Sequence, residues 1–160
     1  MKYFITLILM LTIALNIQSG NNRSASTTKS NLNKVYLKAL GFGGQKFTKK
    51  STGVWKLNNG ITIYSTDAYG SRIRGYAGPT PLFIAVNEKG KIVSIAAAQN
   101  IETEEYFSYV LESPLLKKWN GKTLKEAATF KPDAVTGATY SSTAVIRTVN
   151  ATAKSLSEKK

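Results

Sequence analysis

Apolar positions fall into three regimes along the chain. From Phe4 to Ile17 they are almost continuous (FITLILMLTIALNI), interrupted by Thr6, Thr12 and Asn16. From Ser19 to Asn33 (SGNNRSASTTKSNLN) they nearly vanish, and from Val35 onward they recur with helix or strand period. At 1.5 Å per residue the first run reaches roughly 21 Å as a helix, short against a hydrocarbon core of about 30 Å. It has the length of the apolar region of a secretory signal, with Ser19 and Gly20 as small residues after it. The organisation expected is therefore a signal peptide or short membrane anchor over 1–20, a flexible linker over 21–33 and a folded domain over 34–160.

Within the domain, Val35, Tyr36, Leu37 and Leu40 are spaced as a short helix ended by Gly41, and Gly41-Phe42-Gly43-Gly44 reads as its C-cap and turn. Val54–Leu57 and Ile61–Ser65 flank Asn58-Asn59-Gly60, the pattern of a hairpin. Pro81–Val86 (PLFIAV) and Lys91–Ala97 (KIVSIAA) flank Asn87–Gly90 as a second hairpin. Both of its runs are apolar on two faces, which predicts a place at the centre of the sheet. Tyr106, Phe107, Val110 and Leu111 then share one helical face before Pro114, a short helix carries Leu115, Leu116 and Trp119, and another spans Lys122–Ala128. A closing helix from about Ser141 to Leu156 turns Val145, Val149, Thr152 or Ala153, and Leu156 to the core. The fold class expected is α+β: a small antiparallel sheet with a central hairpin, short inserted helices and a closing C-terminal helix.

Composition narrows the chemistry. The chain of 160 residues has neither cysteine nor histidine, which removes disulfides, thiolate and imidazole metal sites, Cys nucleophiles and the Ser-His-Asp triad. Chemistry here falls to a carboxylate, lysine or tyrosine, or to a borrowed cofactor. The formal charge of +13 suits anionic partners, but the basic residues are scattered in runs no longer than pairs such as Lys49-Lys50 and Lys117-Lys118. No nucleic-acid arm is expected.

The sharpest local signal is Asp133-Ala134-Val135-Thr136-Gly137-Ala138-Thr139-Tyr140-Ser141, just before the closing helix. Asp133 is placed to accept from the backbone after it, as Asx turns do. Gly137 and Ala138 leave the Thr139 hydroxyl open to approach, at a helix start whose unpaired N–H groups favour a phosphate. Ordinary capping by Thr139, Ser141 or Ser142 is the competing account of the same residues.

The run DAVTGATYSS resembles the attachment motif of the FMN-binding domain family, whose members include components of the sodium-translocating NADH:quinone reductase and of the Rnf electron-transfer complex. Gly75-Tyr76-Ala77-Gly78-Pro79 resembles the family's Gly-Tyr-x-Gly-Pro segment, and Glu102-Thr103 resembles an acidic-Thr pair beside its flavin. The departures lie around that pair: Gln99, Asn100 and Ile101 stand where many relatives have His, and Glu104-Glu105 where they have Pro-Gly.

The resemblance implies FMN held covalently on Thr139 through a phosphoester bond, with Asp133, Thr136, Gly137 and Ala138 recognised by a flavin transferase that takes FMN from FAD with magnesium. It implies a bend of Gly75, Tyr76, Gly78 and Pro79 against the cofactor, with Glu102 and Thr103 near it. Tyr76 reads equally as a ring contact or a core tyrosine, Tyr140 is a second candidate ring contact, and Glu102 reads also as a cap for the next helix. The function expected is an exported electron carrier on the periplasmic or extracytoplasmic side, exchanging electrons with a membrane redox complex or another electron-transfer protein. Its positive charge would help it dock to acidic redox partners or a membrane surface. Two alternatives remain beside it: a basic exported binding module with a degenerate flavin site, and a flavin-dependent reductase of a small acceptor.

Overall fold

The computed structural model describes residues 30–159; the expected signal or anchor over 1–20, and residues 21–29 of the expected linker, lie outside the described residues. The last part of that linker is packed rather than free. Leu32 is buried in the core, and Ser30 donates from its N–H (2.6 Å) and hydroxyl (3.2 Å) to the carboxylate of Asp67.

Helix α1 (Lys34–Ala39) starts where Asn33 accepts from the amides of Val35 and Tyr36. It ends in a Schellman motif: Phe42 N donates to Leu37 O (2.7 Å) and Gly41 N to Lys38 O (3.0 Å), with Gly41 at φ +85°. That conformation is costly for a residue with a Cβ, so the Gly-Phe-Gly-Gly run is a helix stop.

Five strands form one antiparallel sheet in the order β1 (Phe47–Ser51), β2 (Val54–Leu57), β3 (Thr62–Ser65), β4 (Leu82–Val86), β5 (Ile92–Ala97). The β2–β3 and β4–β5 hairpins occupy the expected positions. The expected central place of the second hairpin is corrected: β4 is interior and β5 lies at the edge. Its free side is instead partly covered by the chain at 121–124, where Ile92 N donates to Lys122 O and Gly121 N to Ile92 O, both at 2.8 Å. An apolar strand can tolerate an edge covered in this way. Strand β1 (FTKKS) is exposed throughout, so its sequence carries no strand alternation; its lysines suit the opposite edge.

Both sheet faces are covered, which is why β4 is apolar at every position. Leu82, Ile84 and Val86 face one core, beneath α3 (Glu104–Glu112), a 3₁₀ turn (Leu115–Trp119) and two further helices. These are α4 (Leu124–Thr129) and α5 (Thr139–Ser157), numbered after the one-turn helix α2 (Asp67–Gly70). Phe83 and Ala85 face a second core with Trp55, Leu57, Ile63, Leu37 and Leu40. Helix α5 buries Val145, Val149, Thr152, Ala153 and Leu156, the face its spacing predicted. On α3 the buried face is narrower than expected: Phe107 and Val110 are inside, whereas Tyr106 and Leu111 are exposed. The α4 start is a capping box, with Thr123 N donating to Glu126 (2.7 Å) and Glu126 N to Thr123 Oγ1 (3.2 Å). The donated Thr123 N–H, then its hydroxyl, holds the Glu126 carboxyl below its ordinary range.

Candidate functional site

The segment before α5 makes a tight turn, closed by Ala138 N donating to Val135 O at 3.0 Å. Gly137, at φ +81°, supplies the left-handed position that such a turn requires, and Thr136 is exposed at its tip. The helix then begins at Thr139 with Ala138 as N-cap and no side-chain cap. This corrects the capping account, since none of Thr139, Ser141 and Ser142 serves as the N-cap. The Ser142 hydroxyl donates to Ala138 O (2.8 Å) and accepts from Val135 N (3.0 Å), which pins the turn to the helix. The amide expected to reach Asp133 is thereby taken, so the Asx turn is corrected as well. Asp133 lies exposed on a separate cleft with Ser113, Pro114, Leu115, Lys118, Ala134 and Val135.

Thr139 itself is exposed. Its hydroxyl stands at the uncapped start of a 19-residue helix, where the first amides have no intrahelical acceptor and the dipole is positive. Beside it is an open cleft of about 190 Å³ lined by Tyr76, Tyr106, Gly137, Ala138, Thr139, Tyr140 and Ser141. Small-molecule sites usually enclose roughly 300–1,000 Å³, so a bound ring system here would keep part of its surface in solvent. Tyr76 is 69% and Tyr140 73% exposed, with ring centroids 6.5 Å apart, and the Tyr106 ring also lies 6.5 Å from that of Tyr76. Tyr76 is thus a surface aromatic and no core tyrosine. The donor set fits a flavin phosphate: a free hydroxyl, unpaired amides and a positive helix end, with aromatic faces alongside.

Glu102 has a different place from the one its sequence position suggested. The chain from Arg74 to Pro79 folds into a miniature hairpin, with a bridge between those two residues and Gly75 N donating to Gly78 O at 2.7 Å. The amides of Tyr76 (3.0 Å), Ala77 (2.8 Å) and Gly78 (2.8 Å) all donate to the Glu102 carboxylate, and the Ser141 hydroxyl donates to it from α5. Glu102 is only 9% exposed and does not cap α3; Thr103 is the exposed N-cap there, without a side-chain hydrogen bond. The carboxylate therefore ties the bend that carries Tyr76 to the helix that starts at Thr139. Burial pushes its pKa up, but the hydrogen bonds from Ser141, Gly78, Ala77 and Tyr76 outweigh burial and hold it below the ordinary range.

A carboxyl whose folded pKa lies below its unfolded value adds stability above the unfolded range and loses it as pH falls through the folded value. Urea melts at stepped pH should show this component in the native chain and not in Glu102→Gln, which at neutral pH should cost about 1–3 kcal/mol. An acid limb of equal size in the variant would remove Glu102 as its source.

The two glycines of the bend are explained by proximity. A Cβ on Gly75 would lie 2.6 Å from a Glu102 carboxylate oxygen, and one on Gly78 would lie 2.7 Å from the Ile101 side chain. Gly75→Ala should cost about 1–3 kcal/mol by displacing Glu102, as thermal melts would record; an unchanged Tm would show that the carboxylate yields without loss.

Of the residues singled out from the sequence, Tyr76, Gly137, Ala138 and Thr139 meet at the cleft, with Gly75, Gly78 and Glu102 immediately behind Tyr76. Pro79 closes the base of the bend, whereas Asp133, Thr136 and Thr103 do not line the cleft. Tyr106, Tyr109 and Ser141 were missed. A Cβ on Gly137 would stand 3.5 Å from the Tyr109 ring, which makes this tyrosine a wall of the turn. Its only sequence signal was a tyrosine three residues after Tyr106 on a helix, which spacing alone assigns to no partner.

Among the described residues, no group of acidic side chains is arranged to hold a metal ion, and no helix is long and apolar enough to cross a membrane. A family model described as the FMN-binding domain matches residues 75–154, from the first glycine of the bend to the later part of α5. No curated protein matches the chain.

Proposed function

From the premise that the chain belongs to the FMN-binding domain family, we propose that it is an exported electron carrier holding FMN covalently through a phosphoester on Thr139. FMN binding and the electron-carrier type follow from the family; the covalent link, the export and the partners are our reading. The observation that carries the link is the exposed Thr139 hydroxyl at an uncapped helix N-terminus beside an aromatic cleft.

Bound FMN supplies the redox chemistry, which this chain without cysteine or histidine needs no side chain to provide. The protein's work is to hold and orient. Thr139 would supply the ester oxygen, losing its hydroxyl proton as AMP departs from the FAD donor. The amides of the first α5 turn would hold the phosphate, and Gly137 with Ala138 would keep the approach open for the transferase. Tyr76 and Tyr140 offer ring faces, held in position by Glu102 and by the helix. Export is supported by the apolar run Phe4–Ile17, and a tethered flavin cannot diffuse away outside the cell.

The test is the intact mass of the chain co-expressed with an active flavin transferase. A gain of one FMN less one water, with flavin absorbance that survives denaturation, is the expected result. Flavin absorbance lost on denaturation would leave a noncovalent flavoprotein and overturn the ester.

A further inference from the structure

The protein is strongly basic, yet the face around Thr139 is not. Residues 75–88, 92–116 and 132–146 contain no lysine or arginine, although the chain has 22 of them. These are the segments that supply the bend, α3 and the attachment turn. Six of the nine acidic residues fall within them; Glu88 lies at the β4–β5 turn against Gly60, away from this face, and the others are Glu102, Glu104, Glu105, Glu112 and Asp133.

Glu102 is consumed internally by four hydrogen bonds. Glu105, Tyr109 and Glu112, at i, i+4 and i+7, form one stripe of α3, and the Tyr109 ring lies against Gly137 of the attachment turn. Both glutamates are exposed. Asp133 continues the rim, sharing its cleft with Ser113 and Pro114, which directly follow Glu112. Lys118 in that cleft and Arg74, which donates to Ala77 O at 3.2 Å, are cations at its edges, as are Lys131, two residues before Asp133, and Arg147, two turns along α5 from Tyr140.

The same face is also apolar. Of the eight large hydrophobic side chains exposed among the described residues, Tyr76, Ile101, Tyr106, Tyr109 and Tyr140 cluster here. Exposed aromatics grouped inside a polar rim are the composition of a contact surface.

We propose that this face docks an electron-transfer protein whose own redox centre is ringed by lysine and arginine, so that the overall positive charge points away from the contact. The proposal rests on the flavin-carrier reading and adds the kind of partner to it. It reverses the expectation of an acidic partner, because docking is governed by the nearest charges. At physiological ionic strength the Debye length is about 8 Å, so cations on the far side of the domain are screened from the contact. The phosphate of a flavin on Thr139 adds negative charge to the same face.

Two measurements test it. In the first, the chain without flavin is titrated with the paramagnetic trication hexaamminechromium(III) and, separately, with the trianion hexacyanochromate(III), while amide NMR lines are followed. The trication should broaden the amides of Glu105, Tyr109, Glu112 and Asp133 before others, and Glu105→Gln/Glu112→Gln should suppress this. Selective broadening of those amides by the trianion would overturn the proposal.

In the second, the flavin-loaded, reduced chain is mixed with a ferric basic c-type cytochrome at ionic strength near 0.1 M. Each two-electron oxidation of flavin reduces two haems and releases its protons to the buffer. The Glu105→Gln/Glu112→Gln variant should transfer at least about threefold more slowly, since charge complementarity acts on the encounter rate. An equal or faster rate in the variant would overturn the docking face. Failure of the chain to load flavin would defeat the carrier reading instead, and the NMR titration would still judge the charge of the face.

Discussion

Thr139→Ala is expected to lose covalent flavin completely while keeping the wild-type fold. The intact mass of the variant, expressed beside an active flavin transferase, should equal the polypeptide alone. Three features of the structure make this a test of chemistry and not of folding. Thr139 is exposed, its hydroxyl caps nothing, and the turn before it is held by other atoms, namely the Ser142 hydroxyl and the Ala138–Val135 hydrogen bond. Substitution on such a surface ordinarily changes stability by no more than about 0.5 kcal/mol, and alanine favours a first helical turn more than threonine does. Thermal melts of the two flavin-free chains should therefore superimpose within a few degrees. Flavin retained through denaturation in the variant would move the ester to another hydroxyl, with Ser141, then Thr136 and Ser142, the nearest aliphatic ones in sequence.

Phe83→Ala should give the largest loss of stability, about 3–5 kcal/mol. Phe83 is fully buried on the interior strand β4, and its ring meets Tyr36 at 4.8 Å and Trp55 at 5.8 Å between centroids. Truncation leaves a cavity under α1 that four strands and a short helix cannot close without moving the sheet. For a domain of this size the loss corresponds to a Tm lower by roughly 10–20 °C. Because Phe83 belongs to the core on the far side of the sheet from α5, the folded fraction should still load flavin on Thr139. A small Tm change would mean that the α1 side contributes little to the fold. Normal Tm with abolished loading would mean that the two cores are coupled through β4.

These outcomes bear on different parts of the chain, and the parts were unequally legible. Local rules were sufficient where one segment satisfies itself. Helix α1 with its Gly41 stop, the two hairpins at Asn-Gly and Lys-Gly turns, and the buried stripe of α5 each follow from spacing and from backbone conformations that few residue types adopt. The turn before α5 was legible in part: its place at a helix start was read from the sequence, and the structure adds that Gly137 takes the left-handed conformation there. The two-faced apolarity of the second hairpin was read as a central place for both its strands, which holds for β4 and fails for β5, since sequence could not tell which strand would be interior. That depended on the loop at 121–124 arriving to cover β5.

Only the tertiary structure decided the matters that join distant segments. Glu102 looked like a helix cap or a flavin neighbour, and it instead takes three amides from a bend about 25 residues earlier and a hydroxyl 39 residues later. No local pattern encodes such a partner, because its hydrogen bonds come from backbone atoms that every sequence shares. Tyr106 matched the core face by spacing and is exposed, since α3 rests only on Phe107 and Val110 and leaves its flanks open. The sign of the local charge was hidden for a similar reason: a net charge of +13 sums the whole chain, whereas a docking partner meets the few side chains that folding brings around Thr139. The sequence by itself thus determined most of the elements, a motif resembling that of the FMN-binding domain family and the absence of thiol and imidazole chemistry, all properties of short range or of composition. The fold decided which residues surround that motif, how they are held, and what charge they present.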